Sequence, residues 1–144
     1  MTRLLVDTSV LIKWFHEAGE SELAEARAIR DAHIRGELEA HVLDLAIYEV
    51  GNVLARALKW TSSDVSDQLD DLLAIVGVPI TMAQTWLRDA AELAEIHTLS
   101  FYDASWASTA AALGIALVSA DRRLLAAQLA EAPSTVATRL QLAL

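Results

Sequence analysis

The sequence predicts an α/β fold with a central parallel sheet flanked by helices on both faces, and three observations predict it. Short apolar runs (LLV, AHVL, VPI and IALV) alternate with longer stretches whose apolar residues recur every three to four positions. The short runs are largely continuous rather than alternating, the pattern of strands covered on both faces. Hydrophobic residues make up 54% of the chain while glycine and proline supply five and two positions, so regular structure has to fill most of it.

Arg3 to Asp7 reads as a buried strand, and Thr8 to Glu17 as a helix with Val10, Leu11, Trp14 and Phe15 at helical spacing. Glu20 to Gly36 is a second, charged helix that turns Leu23, Ala26, Ile29 and Ile34 to the core and is stopped by Gly36. Ala40 to Leu43 is the next strand, with Asp44 as an N-cap and a helix from Leu45 to about Trp60. Ser63 to Val76 suits a helix capped by Ser62 or Ser63, and Val78 to Ile80 a third strand. Two helices follow, Met82 to His97 and Phe101 to Leu113, the second closed by Gly114. Ile115 to Val118 is a fourth strand, and Asp121 starts the helix RRLLAAQLA. After Pro133, VATRLQLAL reads equally well as strand or helix. No repeat, linker or low-complexity segment interrupts this order, so residues 1–144 are expected to form one domain.

The chain has no cysteine, which removes disulfides, thiolate metal sites and cysteine nucleophiles together. No apolar run approaches the roughly 18 residues of a membrane helix, and nothing has the pattern of a signal peptide. The expectation is a cytoplasmic protein with no membrane partner. A net charge of -9 argues against broad attraction to nucleic acid and favours a basic partner. The acidic block Asp64, Asp67, Asp70 and Asp71, and the small basic groups along the chain, read as solvated helix faces.

Four acids stand out by context: Asp7 at the end of the first strand, Glu49 in YEVGN, Asp103 in FYDASW and Asp121 in VSADRRLL. Three of them also fit helix starts, since Asp7 and Asp121 sit where N-caps belong and Ser100 with Asp103 matches a capping box. Glu49 does not, because Leu45, Ala46 and Val53 make its stripe apolar, so it is expected to face a base or a shared cation. In a parallel sheet the residues just after the strands, and the first turns of the helices that follow, share the carboxyl edge where ligands bind. Carboxylates gathered there repel one another unless something positive sits among them. All-oxygen donors favour Mg²⁺ or Mn²⁺ over zinc, and His16, His33, His41 and His97 show no metal-ligand spacing.

These stretches resemble the PIN-domain family, and within it the VapC-type toxins of bacterial and archaeal toxin–antitoxin pairs. LLVDTSVL, YEVGNVL, FYDASWASTAAALG and IALVSADRRLL carry the resemblance in order along nearly the whole chain. It implies a Mg²⁺- or Mn²⁺-dependent endoribonuclease that hydrolyses RNA phosphodiesters, is inhibited by a cognate antitoxin protein, and forms a homodimer. Carried across by position, Asp7, Glu49, Asp103 and Asp121 are the acidic catalytic set. Asp7, Asp103 and Asp121 would ligate the metal directly, with Glu49 in a water-mediated or base role. Thr8, Ser9 and Ser119 supply supporting hydroxyls. Attack by water would leave a 5′-phosphate and a 3′-hydroxyl.

Substrate binding by so acidic a chain needs cations near the acids, and Lys13, Arg122 and Arg123 are the candidates for phosphate contacts. Trp14, Trp60, Trp86 and Trp106 are first of all core residues, with Trp14 also a candidate wall of a groove for an antitoxin helix. A phosphoryl-acceptor receiver domain is excluded because the last lysine is Lys59, well before the final strand. A haloacid-dehalogenase-type phosphatase is excluded because position 9 is Ser9 rather than a second aspartate. A PIN-like binding module without turnover and a DNA-directed nuclease of the same fold remain the alternatives.

Overall fold

A computed structural model describes residues 1–144. Its centre is a parallel sheet in the order β2-β1-β3, with β1 (Arg3–Val6) between β2 (Glu39–His41) and β3 (Ala116–Val118). Leu4 lies opposite Ala40 and Ala116, and Leu5 opposite His41 and Leu117. Leu4, Leu5 and Val6 have no exposed surface, so both faces of β1 are covered. That is why its apolar run is unbroken rather than alternating.

Helices α1 (Thr8–Leu11), α2 (Leu23–Ile34), α3 (Leu45–Asn52), α4 (Ser62–Val76), α5 (Gln84–His97), α6 (Phe101–Leu113), α7 (Arg122–Ala126) and α8 (Pro133–Arg139) surround the sheet. The segment after Pro133 is thus helical, with proline in the first turn, where its missing N–H is harmless. Gly114 closes α6 at φ +66°, the left-handed conformation that glycine adopts without strain.

The sheet has three strands rather than four. Val78 to Ile80 is not a strand: Ile80 makes one parallel bridge to Leu43, and Val78 is 92% exposed. Pro79, at the centre of that run, has no N–H to give a ladder. The first helix is also shorter than expected. After Leu11 it tightens into a 3₁₀ turn, Ile12–Trp14, and the carbonyls at its end are taken by guanidinium groups of α2. Arg27 Nε donates to the Lys13 carbonyl at 2.9 Å and Arg30 Nη1 to the Trp14 carbonyl at 2.6 Å.

Ile34 was expected in the core and is 60% exposed, because His33 occupies the inward position of the last turn of α2. Its Nδ1 accepts the Ala40 amide at 3.0 Å while Nε2 donates to the Ile75 carbonyl at 2.6 Å, a pairing that requires the neutral ring. Asp44 occupies the expected N-cap position, but its backbone is helical and its side chain caps nothing. The cap of α4 is Thr61, not Ser62 or Ser63, accepting the Asp64 amide at 3.2 Å. Helix α3 does not run to Trp60. It widens into a π turn, Val53–Ala57, where the Leu58 amide reaches the Val53 carbonyl at 3.0 Å. Trp14 is buried, its indole N–H donating to the Ala26 carbonyl at 3.0 Å, and it also lines a surface groove with Phe15, Arg30, Gln68 and Ile75.

The face of α2 is checked by two substitutions in chemical denaturation. Ile29→Ala, at a fully buried site, is expected to lose about 2–5 kcal/mol of stability. Ile34→Ser should change stability by less than about 0.5 kcal/mol.

Candidate active site

The carboxyl ends of β1 and β3 are joined where the Asp7 amide donates to the Val118 carbonyl at 3.1 Å. Asp7 leaves the strand in an extended conformation and caps α1, its Oδ1 accepting the Ser9 amide at 3.0 Å and the Ser9 hydroxyl. Ser9 Oγ in turn accepts the Ala120 amide at 2.9 Å and lies 3.5 Å from Ser119 Oγ. Ser119 is fully buried and its hydroxyl accepts the Asp121 amide at 2.9 Å. Asp121 then caps α7 with Oδ1, which takes the amides of Arg123 and Leu124. The two aspartates that end these strands are tied through two serine hydroxyls.

Glu49 enters from α3 and is half-buried. Within the chain its partner is not a base. Oε1 accepts two neutral donors, the Thr8 hydroxyl at 2.9 Å and the Trp106 indole N–H at 3.2 Å. Asp103 lies in the first turn of α6, where the Ser100 hydroxyl accepts its amide at 3.0 Å. Capping and site formation are therefore compatible in Asp7, Asp103 and Asp121. One carboxylate oxygen, or a neighbouring serine, serves the helix start, and Asp121 Oδ2 and Glu49 Oε2 accept no hydrogen bond within the chain.

The acids are close enough to act on one another. Burial pushes the Asp7 carboxyl up from 3.8 to about 6, against the hydroxyls of Ser119 and Ser9 and the Ser9 amide, while the Asp103 charge adds to the rise. Asp103 is raised by burial and then by the charges of Asp121 and Glu49, with Arg123 pulling the other way. No three histidine or carboxylate side chains stand close enough to hold a metal ion as they are arranged. The edge is a field of negative charge rather than a finished ligand cage. Its donors, carboxylates backed by hydroxyls, nonetheless match a hard divalent cation, and the mutual repulsion is what such a cation relieves.

Lys13 is not a phosphate contact. It is 3% exposed, its ammonium bound to Glu20 at 2.9 Å and to the Ser21 carbonyl at 2.7 Å. Arg122 and Arg123 are exposed, and only Arg123 acts on an acid of the edge. Trp106, read from sequence as a packing residue, is one that also touches the site. The available signal was its position three residues after Asp103, on the same side of one helix.

Residues 4–130 match the PIN domain family. Ribonuclease VapC3 of Pyrobaculum aerophilum is 33% identical over 126 residues, which cover 85% of this chain and 92% of that protein. The crystal structure of PAE2754 from Pyrobaculum aerophilum is similar with a TM-score of 0.68 at 28% identity over 97% of each chain. A toxin–antitoxin complex from Klebsiella pneumoniae is similar in fold, with a TM-score of 0.66 at 19% identity, over 90% of this chain and 97% of that one.

Asp7 gives a pH prediction with a definite sign. A carboxyl whose pKa is raised from 3.8 to about 6 on folding binds more protons in the native state between those values. Its contribution to stability is therefore complete below 3.8 and is lost as pH rises through about 6, on the order of 3 kcal/mol. In metal-free buffer Asp7→Asn, which keeps an oxygen for the Ser9 amide, should melt higher than wild type above pH 6. The difference should shrink toward zero near pH 4. A melting difference that stayed constant over that range would contradict the assignment.

Proposed function

Because the chain belongs to the PIN-domain family, we propose that it is a divalent-metal-dependent endoribonuclease that serves as the toxin of a toxin–antitoxin pair. The observation that carries this reading is the meeting of Asp7, Glu49, Asp103 and Asp121 at one sheet edge, where their charges oppose one another. The 33% identity with Ribonuclease VapC3 supports RNA as the substrate.

Asp7, Asp103 and Asp121 would hold Mg²⁺ or Mn²⁺. Bound there, the ion lowers the pKa of water and neutralises charge on the phosphate. Ser9 and Ser119 keep Asp7 and Asp121 at a fixed separation, and Thr8 holds Glu49. Glu49, with Oε2 free, orients or deprotonates the attacking water. Arg123, assisted by the exposed Arg122, meets a substrate phosphate and offsets the repulsion between an acidic chain and RNA. Attack by water on phosphorus leaves a 5′-phosphate and a 3′-hydroxyl.

The net charge of -9 favours a basic antitoxin segment as the inhibitory partner, in keeping with the toxin–antitoxin complex of the Klebsiella pneumoniae relative. A homodimer acting in the cytoplasm completes the proposal. No helix is long and apolar enough to cross a membrane.

With Mn²⁺ present, the protein should cleave RNA to 5′-phosphate ends, and chelation should abolish cleavage. Asp103→Asn should lower kcat/KM by about 10²-fold or more and lose most of the rise in melting temperature that Mn²⁺ gives wild type. A metal-induced rise that is equal in both proteins, with no cleavage, would favour a binding module. Cleavage of DNA in preference to RNA would reassign the substrate. Arg123→Glu should raise KM and flatten its salt dependence, and an unchanged salt dependence would remove Arg123 from the substrate path.

A further inference from the structure

We propose that Trp106 is a positioning residue of this site: its indole N–H, together with the Thr8 hydroxyl, pins Glu49 by Oε1 and leaves Oε2 as the one working oxygen of that carboxylate. The proposal rests on the reading of the acidic edge as a hydrolytic centre.

A carboxylate oxygen offers two acceptor positions. Oε1 of Glu49 has both filled, by Thr8 at 2.9 Å and by Trp106 at 3.2 Å. The donors come from α1 and α6 while the glutamate comes from α3, so the carboxylate is held from two sides by elements distant in sequence. Neither donor is charged. Each fixes Glu49 without neutralising it, which leaves its negative charge available to the site.

A tether is needed because Glu49 is only half-buried and carries the same charge as Asp103, whose pKa it helps to raise. Without a hold on Oε1, repulsion between the two would favour rotation of Glu49 into solvent. Trp106 suits the task because an indole N–H donates and cannot accept, and because the ring is 1% exposed and locked by packing. It also lies one helical turn after Asp103, so a single rigid segment sets the positions of both acids.

Ordinary packing would satisfy a buried indole with any nearby acceptor. Trp14 does so, giving its N–H to the main-chain carbonyl of Ala26. Trp106 instead gives its N–H to a carboxylate of the site, carried by a different helix.

The test compares Trp106→Phe, Thr8→Val and Thr8→Ser with wild type by Mn²⁺ calorimetry and by kcat and KM for RNA cleavage. Removal of the indole N–H should weaken Mn²⁺ binding and lower kcat by about 10- to 100-fold, with KM for RNA little changed. Thr8→Val should move both quantities in the same direction, and Thr8→Ser, which restores the hydroxyl, should recover them. Added to Glu49→Gln, Trp106→Phe should cause no further loss of kcat, since its effect passes through Glu49.

A Trp106→Phe protein that melts lower yet binds Mn²⁺ and turns over RNA as wild type does would overturn the proposal and leave Trp106 a core residue. An equal loss on the Glu49→Gln background would do the same. If Trp106→Phe fails to fold, the Thr8 pair decides, and wild-type behaviour in Thr8→Val counts against the tether. Wild-type protein that neither binds Mn²⁺ nor cleaves RNA would instead remove the hydrolytic reading beneath it.

Discussion

Val6 faces Val118 in the parallel register of β1 against β3, and the Asp7 amide closes that ladder on the Val118 carbonyl. The relation between Asp7 and Asp121 descends from this one pairing. It sets the ends of two strands side by side, so Asp7 and the Ser119–Asp121 turn leave the sheet together although more than a hundred residues separate them. The Ser9 hydroxyl then bridges the two ends, touching Asp7, the Ala120 amide and the neighbourhood of Ser119. A slip of one residue in this register would turn each of these side chains to the opposite face of the sheet.

Negative charge is concentrated at that edge while five of the eleven bases are engaged elsewhere. Lys13 is bound to Glu20, Arg27 to Glu17, Arg30 to Asp31, Arg35 to Glu37 and Arg139 to Glu131. None of these bases reaches Asp7, Glu49, Asp103 or Asp121. Arg123 acts on Asp103. The folded chain therefore carries an unbalanced charge at its sheet edge, where burial, with a smaller push from Asp103, raises the Asp7 carboxyl to about 6. Neutral donors fix these acids without discharging them, through Ser9 on Asp7 and through Thr8 and Trp106 on Glu49. Carboxylates held together in this way cost stability, the common compromise between stability and function.

Features that depend on neighbouring residues were legible in the chain. The buried strand before Asp7, the span of α6 from Phe101 to Leu113 with its glycine stop, and the caps at Asp7 and Asp121 all follow from short-range patterns of burial and capping. Features that depend on which distant element packs alongside were not. Ile34 yielded the inward position to His33 because the Ile75 carbonyl and the Ala40 amide were there to bind an imidazole. Lys13 looked like a free cation beside Asp7 until the Glu20–Ser21 turn folded back over it. Val78 to Ile80 had the composition of a strand, but its proline left only one bridge to Leu43.

By itself the sequence determined the α/β class, the identity of the four acids and their placement at the carboxyl edge. Strand and helix periodicities and caps are local, and a parallel sheet carries strand ends to a common side. The tertiary structure decided what surrounds each acid. The contacts that hold Glu49 span 41 and 57 residues of chain, and the Ser9 contacts with Ser119 and Ala120 span 110 and 111. Hydrogen bonding and desolvation act over a few ångströms of space. Over such separations along the chain, only the packed fold determines which groups come that close.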